Sequence, residues 1–137
     1  MSSTGEKTPY FHLFFEMKDG SFVAFFELTG SSPPMQMDPN TPAWVQHLAL
    51  EVESGEELLR LMKKLEGAGV EIVGPTDHDF CTSIYFFDPN GHRVELTHQT
   101  DSPEMMADLR RTAQTVLDKW DQSKEVQRDV AWVHKNA

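Results

Sequence analysis

The chain of 137 residues is 39% hydrophobic, enough for one domain with a buried core and too little for two comfortable ones. Its 22 acidic against 12 basic residues give a net charge of −10, the wrong sign for neutralising nucleic-acid phosphates or docking on an anionic membrane, so neither is an expected partner. No apolar run reaches the roughly 20 residues of a spanning helix, the polar start MSSTGEKTP lacks the apolar stretch of a secretion signal, and the lone Cys81 permits no internal disulfide, so a cytoplasmic location is expected.

YFHLFFEM and SFVAFFEL are aromatic and β-branched runs separated by the turn signal KDG, which predicts a β-hairpin. SSPPMQMDPNTP, with four prolines, predicts a loop. In WVQHLALEV the residues Leu48, Leu50 and Val52 point one way, and His47, Ala49 and Glu51 the other, as in a strand covered on one face. Ser54 with Glu57 reads as a capping box, and Leu58, Leu61, Met62 and Leu65 recur at helical spacing until GAGV ends the pattern. Three short strands follow, VEIVGP, TSIYFF and HRVELT, the last two joined by the turn DPNG. Ser102 as N-cap and Pro103 at the first helical position open a second helix. Its apolar stripe of Met105, Leu109, Ala113, Val116 and Trp120 is expected to pack on the domain or on a partner subunit, and QSKEVQRDVAWVHKNA to extend or fray it.

FFEL and RVEL each place a glutamate near a strand end before a leucine, a short internal repeat. The second module spends residues 43–80 on strand, helix and strand before its hairpin, whereas the first has about nine residues in front of its own. If the modules are equivalent, module one lacks its opening strand and helix.

Alternation sends Val94 and Leu96 toward the covering helix, so Arg93, Glu95 and Thr97 share the opposite face with His47. In a curled sheet His47 and Glu95 then meet as one imidazole and one carboxylate, two parts of a divalent-metal site, and a 2-His-1-carboxylate triad for Fe(II) needs one more imidazole. Taken singly, each has a plainer reading: a strand histidine is usually a rim residue, and Tyr85 alone is a core aromatic with a wet hydroxyl.

QHLALEV, GEELLRLMKKLEGAGV and YFFDPNGHRVEL together resemble the vicinal oxygen chelate superfamily, whose α+β fold pairs βαβββ modules around a metal cup. That superfamily includes glyoxalase I, the bleomycin-resistance proteins and the type I extradiol ring-cleavage dioxygenases. The likeness runs over residues 9–98, as a partial module one (9–28) and a module two (43–98), with residues 102–137 left as a helical tail. Thr76, His78, Ile84, Tyr85, Asp88, Pro89, Gly91 and Glu95 satisfy every position of the extradiol signature.

The resemblance implies that His47 and Glu95 ligate Fe(II), that His78 is the acid/base handling substrate protons, and that Tyr85 hydrogen-bonds an oxygen of a catechol-like aromatic attacked by O2. It makes His12 a further candidate active-site histidine and sets Glu27 where glyoxalase I has a fourth ligand. The first iron-ligating histidine of the family lies on the module-one strand that is missing here. The triad is therefore incomplete within one copy, and either the chain is a shortened form of a longer enzyme, or subunits exchange modules, or the metal has been lost. The alternatives are a glyoxalase-like lyase or isomerase using Ni(II), Zn(II) or Mn(II), for which Glu27 is diagnostic, and a metal-free small-molecule-binding protein. Unpaired sheet edges favour a homodimer.

Overall fold

The structure, a computed structural model, describes residues 9–29 and 38–124, which belong to two compact units.

In the first unit β1 (Tyr10–Glu16) and β2 (Phe22–Leu28) form the expected antiparallel hairpin. Gly20, at φ 83°, and the Asp19 carboxylate, which accepts from the Ser21 amide at 2.8 Å, shape the turn. The register pairs His12 with Phe26 and Phe11 with Glu27. Alternation then places Tyr10, His12, Phe14, Phe22 and Phe26 on one face, and Phe11, Leu13, Phe15, Phe25 and Glu27 on the other. Ring contacts follow that division: His12 stacks on Phe26 at 3.9 Å, and Phe15 meets Phe25 edge-on at 5.7 Å.

The second unit runs β3 (His47–Glu51), α1 (Gly55–Gly67), β4 (Val73–Asp77), β5 (Cys81–Phe87), β6 (Arg93–Gln99) and α2 (Pro103–Ser123). Its sheet has the order β3-β6-β5-β4, with β3 parallel to β6, the remaining pairs antiparallel, and α1 crossing from edge strand β3 to edge strand β4. This is one complete βαβββ module. The fold is the expected α+β arrangement, with module one represented among the described residues by its hairpin alone.

α1 packs on β5 and β6 and brings Gly55 beside the His98 ring, so the face carrying Ile84, Leu96 and His98 lies under the helix. Leu58 and Ile84, 1% and 0% exposed, are the centre of that core. Burying each contributes about 1.5–3 kcal/mol.

Several expectations are corrected. β3 begins at His47 rather than Trp44, because the Val45 amide donates to the Pro42 carbonyl at 2.9 Å and closes a turn first. β4 lies at 73–77 rather than over VEIVGP, where its pairing with β5 begins at Val73. The capping box is half made: Ser54 Oγ accepts from the Glu57 amide at 3.1 Å, but the Glu57 carboxylate turns to Arg60, whose nitrogens donate at 2.6 and 2.7 Å. α2 starts as predicted, with Ser102 Oγ accepting from the Met105 amide at 3.1 Å and Pro103 in its first turn. It packs against no other element of the described residues, and none of its residues is fully buried. Local side-chain pairs, Arg111 with Asp108 and Gln114 with Asp118, support it along its length instead. The expected continuation over residues 125–137 lies outside the described residues.

The bulge in β4 positions the site. Tyr85 pairs with Val73, but Ser83 pairs with Thr76, so three β4 residues span two on β5. The extra residue reverses the parity of everything after it and turns His78 onto the face of Tyr85. Gly74 makes this possible: its φ is 120°, and a Cβ there would lie 2.7 Å from the Ser83 carbonyl oxygen.

Candidate active site

The face opposite α1 carries Cys81, Ser83 and Tyr85 from β5, Arg93, Glu95 and Thr97 from β6, and His47 from β3. At its centre is Glu95, whose side chain is 9% exposed. Glu95 Oε2 lies 2.9 Å from His47 Nε2, and Oε1 accepts from the Tyr85 hydroxyl at 3.2 Å. The same hydroxyl lies 2.8 Å from His78 Nε2. Four residues from three strands and the β4–β5 turn thus form one continuous polar chain, His47–Glu95–Tyr85–His78.

Each is held in place locally. His78 lies in a turn closed by its own amide donating to the Cys81 carbonyl at 2.8 Å. Asp88 organises the β5–β6 hairpin, its Oδ1 accepting from the Asn90 and His92 amides at 2.8 Å each, while Gly91 takes φ 87°. The signature residues therefore divide by task. Ile84, Asp88 and Gly91 build core and turn, and His78, Tyr85 and Glu95 meet at the site.

The donor set can be tested against a metal. His47 Nδ1 lies 3.1 Å from the Val45 carbonyl, which can only accept, so Nδ1 carries the proton and the Nε2 lone pair faces Glu95 Oε2. A lone pair and a carboxylate oxygen 2.9 Å apart call for a shared cation, either a proton or a metal ion. Ligand bonds of about 2.0–2.2 Å at right angles set two donors about 3 Å apart, so the pair fits two adjacent coordination positions. The Val45 carbonyl and the Tyr85 hydroxyl are the outer partners such ligands usually have. Among the described residues no group of three or more His, Cys, Asp or Glu side chains is arranged to hold a metal, so this face offers two donors.

Burial, and after it the negative charge of Glu95, holds the Tyr85 phenol above its usual value of 10.0, so the hydroxyl keeps its proton at neutral pH. With one proton and two acceptor-capable neighbours, it donates to Glu95 while His78 Nε2–H donates to it, or it turns and donates to His78 in its other tautomer.

His12 and Glu27 belong to the hairpin unit and occupy opposite faces of it. Hence no centre on one face of a single hairpin takes both. Nε2 of His12 is buried without a hydrogen-bond partner among the described residues, its ring lying against Phe14 and Phe26. The Glu27 face also carries Phe25.

Strand parity puts Arg93 on this face but gives it no task. Arg93 Nη1 donates to the Trp44 carbonyl at 2.6 Å, and its guanidinium carbon lies 4.2 Å from the centroid of the Tyr85 ring. A buried row of Ser83 Oγ donating to Thr97 Oγ1 at 3.0 Å, with Cys81 Sγ 3.8 Å from Ser83 Oγ, also carried no signal beyond strand parity.

Residues 2–96 match the model of the Glyoxalase/Bleomycin resistance protein/Dioxygenase superfamily. Biphenyl-2,3-diol 1,2-dioxygenase 2 of Rhodococcus globerulus is 31% identical over 93 residues, which are 62% of this chain and 48% of that protein. The chain thus spans about half the length of this curated relative. A glyoxalase/dioxygenase from Nostoc punctiforme has a TM-score of 0.49 at 22% identity, over 66% of this chain and 61% of that one. The fosfomycin resistance protein FosX from Listeria monocytogenes, solved with Mn(II) and sulfate, has a TM-score of 0.47 at 22% identity, over 72% and 66% of the two chains. No helix among the described residues is long and apolar enough to cross a membrane. With more than half its length matched by the family model and a complete βαβββ module carrying the site, the chain belongs to the Glyoxalase/Bleomycin resistance protein/Dioxygenase superfamily.

Proposed function

We propose that the chain is a metal-dependent oxygenase subunit that opens the ring of a catechol-like aromatic diol next to its two hydroxyls, using Fe(II) and O2 in the cytoplasm. One observation carries this reading: the cluster His47–Glu95–Tyr85–His78 joins a metal-type donor pair to a phenol and a second imidazole. The likeness to biphenyl-2,3-diol 1,2-dioxygenase 2 supports the diol as substrate class.

In this proposal His47 Nε2 and Glu95 Oε2 hold the iron, which supplies the Lewis acidity and electron transfer that ring opening by O2 requires. The Tyr85 hydroxyl, turned to donate to His78 Nε2, offers its oxygen to the adjacent diol hydroxyl. His78, 2.8 Å from that hydroxyl, accepts the proton leaving the diol and returns it to the ring-opened product. Phe87, two residues beyond Tyr85 on the same face and 52% exposed, offers its ring for the aromatic to pack against.

The third donor is assigned to solvent or to a second copy of the chain, with Glu27 the first side chain to test. A homodimer is assigned as well. β3 and β4 have unpaired edges within their sheet, and each hairpin face exposes a phenylalanine, Phe11 at 63% and Phe14 at 60%.

Anaerobic loading with Fe(II), metal analysis and then oxygen uptake with catechol test the reading. Close to one iron per subunit, and O2 consumed in step with a yellow ring-opened product, are expected. Firmly bound iron with no uptake from any catechol would overturn the oxygenase assignment. Failure of iron, nickel, zinc and manganese to bind would overturn the metal site.

A further inference from the structure

We propose that Arg93 reads an anionic group on the substrate, so that the favoured substrates are aromatic diols bearing a carboxylate. This deepens the function proposed above and rests on the same face being the substrate site. Arg93 precedes Glu95 by two residues on β6 and shares its face, and its Cα is paired with those of both His47 and Phe87. The cation therefore lies across from the donor imidazole and over the ring of the phenol that contacts Glu95 and His78.

What sets Arg93 apart is that it is half-buried with no carboxylate partner among the described residues, whereas the other described arginines and lysines, paired or not, are exposed. Arg60, Arg111 and Lys124 each pair with an acid three residues away. Arg93 is half-buried, and no acid among the described residues pairs with it, although the chain carries 22 acidic residues against 12 basic ones. Glu95, the acid nearest in sequence on its face, is engaged by His47 and Tyr85. The Trp44 carbonyl takes a donor of Nη1 and the guanidinium carbon lies over the Tyr85 ring, leaving Nη2 and Nε without a protein acceptor among the described residues. A guanidinium anchored by one carbonyl beside one ring presents its remaining N–H groups as a fork that matches a carboxylate. The Trp44 hydrogen bond alone accounts for the placement of the side chain; it does not account for a half-buried positive charge left without a counter-ion, which a ligand carboxylate would neutralise.

The test compares binding of catechol, 2,3-dihydroxybenzoate, 3,4-dihydroxybenzoate and benzoate to the full-length chain by titration calorimetry, for wild type, Arg93→Lys and Arg93→Gln. A charge-assisted bond of this kind favours the carboxylated ligand on the order of tenfold. At least one dihydroxybenzoate should bind wild type about tenfold more tightly than catechol, with the ratio falling close to one in Arg93→Gln and partly recovering in Arg93→Lys. An unchanged ratio in Arg93→Gln, with thermal melts confirming that both variants are folded, overturns the proposal and leaves Arg93 as a clamp on the Trp44 turn. Benzoate, which has no diol, separates this result from the oxygenase reading. If its binding falls in Arg93→Gln while no diol supports oxygen uptake, the anion site stands and the oxygenase assignment fails. If none of the four probes binds wild type, the proposal is overturned.

Discussion

Gly74→Ala tests whether the β4 bulge is what delivers His78 to the site. Two costs add. An alanine at φ 120° is in backbone space nearly confined to glycine, worth about 1–3 kcal/mol. Its Cβ would also meet the Ser83 carbonyl oxygen at 2.7 Å, and that atom is backbone in the middle of β5, so relief must come from moving β4. A forced contact of this kind costs typically about 1–3 kcal/mol more. Gly69→Ala is the control, because Gly69 has φ 81° but nothing within 4 Å of the point where an alanine Cβ would stand. It should lose about 1–2 kcal/mol through backbone strain alone. The difference between the variants, about 2–3 kcal/mol, would lower the urea midpoint of Gly74→Ala by about 1–1.5 M beyond that of the control if the slope is about 2 kcal/mol/M. The second readout is the site: with parity undone, the His78 Nε2–Tyr85 hydroxyl hydrogen bond is lost, and the histidine ring ¹⁵N resonances should report it in Gly74→Ala only. Equal midpoints for the two variants, or an unchanged His78 signal, would refute the account of the bulge.

Tyr85→Phe removes the donor to Glu95 Oε1 and should slow ring opening about tenfold to a hundredfold while changing iron affinity far less, measured by oxygen uptake against metal titration. Glu95→Gln replaces a charged donor with a neutral amide and should reduce bound Fe(II) to a small fraction of wild type on anaerobic dialysis; undiminished loading would remove Glu95 from the site. Ile84→Ala opens a cavity at a position 0% exposed and should cost about 2–5 kcal/mol in denaturant unfolding, whereas Leu59→Ala on the solvent side of α1, 46% exposed, should cost far less.

How far the sequence carried depends on the kind of feature. Period-two alternation assigned the strand faces of module two, and the Ser54 and Ser102 caps marked both helix starts, because these signals are local. The same parity, joined to the extradiol signature, brought His47, Tyr85, His78 and Glu95 into one neighbourhood. The bulge was invisible, since GP in VEIVGP reads as a strand end and nothing local says that one residue is skipped there. The hairpin faces were not legible either. Whether residue 12 pairs with 26 or with 27 depends on the turn closed between Met17 and Ser21, and that choice alone puts His12 and Glu27 on opposite sides. Glu57 matched a capping box but found Arg60 three residues on, a charged competitor for the same carboxylate. The task of Arg93 depends on a contact with Trp44, far away in sequence, that no motif encodes.

Two successive peptide carbonyls, those of Trp44 and Val45, hold the Arg93 guanidinium and the His47 ring. A point mutation at either residue exchanges a side chain and leaves the carbonyl where it was, so the orientation of both groups is buffered against substitution. An inserted or deleted residue in the turn between Pro42 and His47 moves both carbonyls together. In a lineage of such chains, the imidazole's tautomer and the cation's aim would drift as a unit, and loop length rather than residue identity would be the variable on which selection acts.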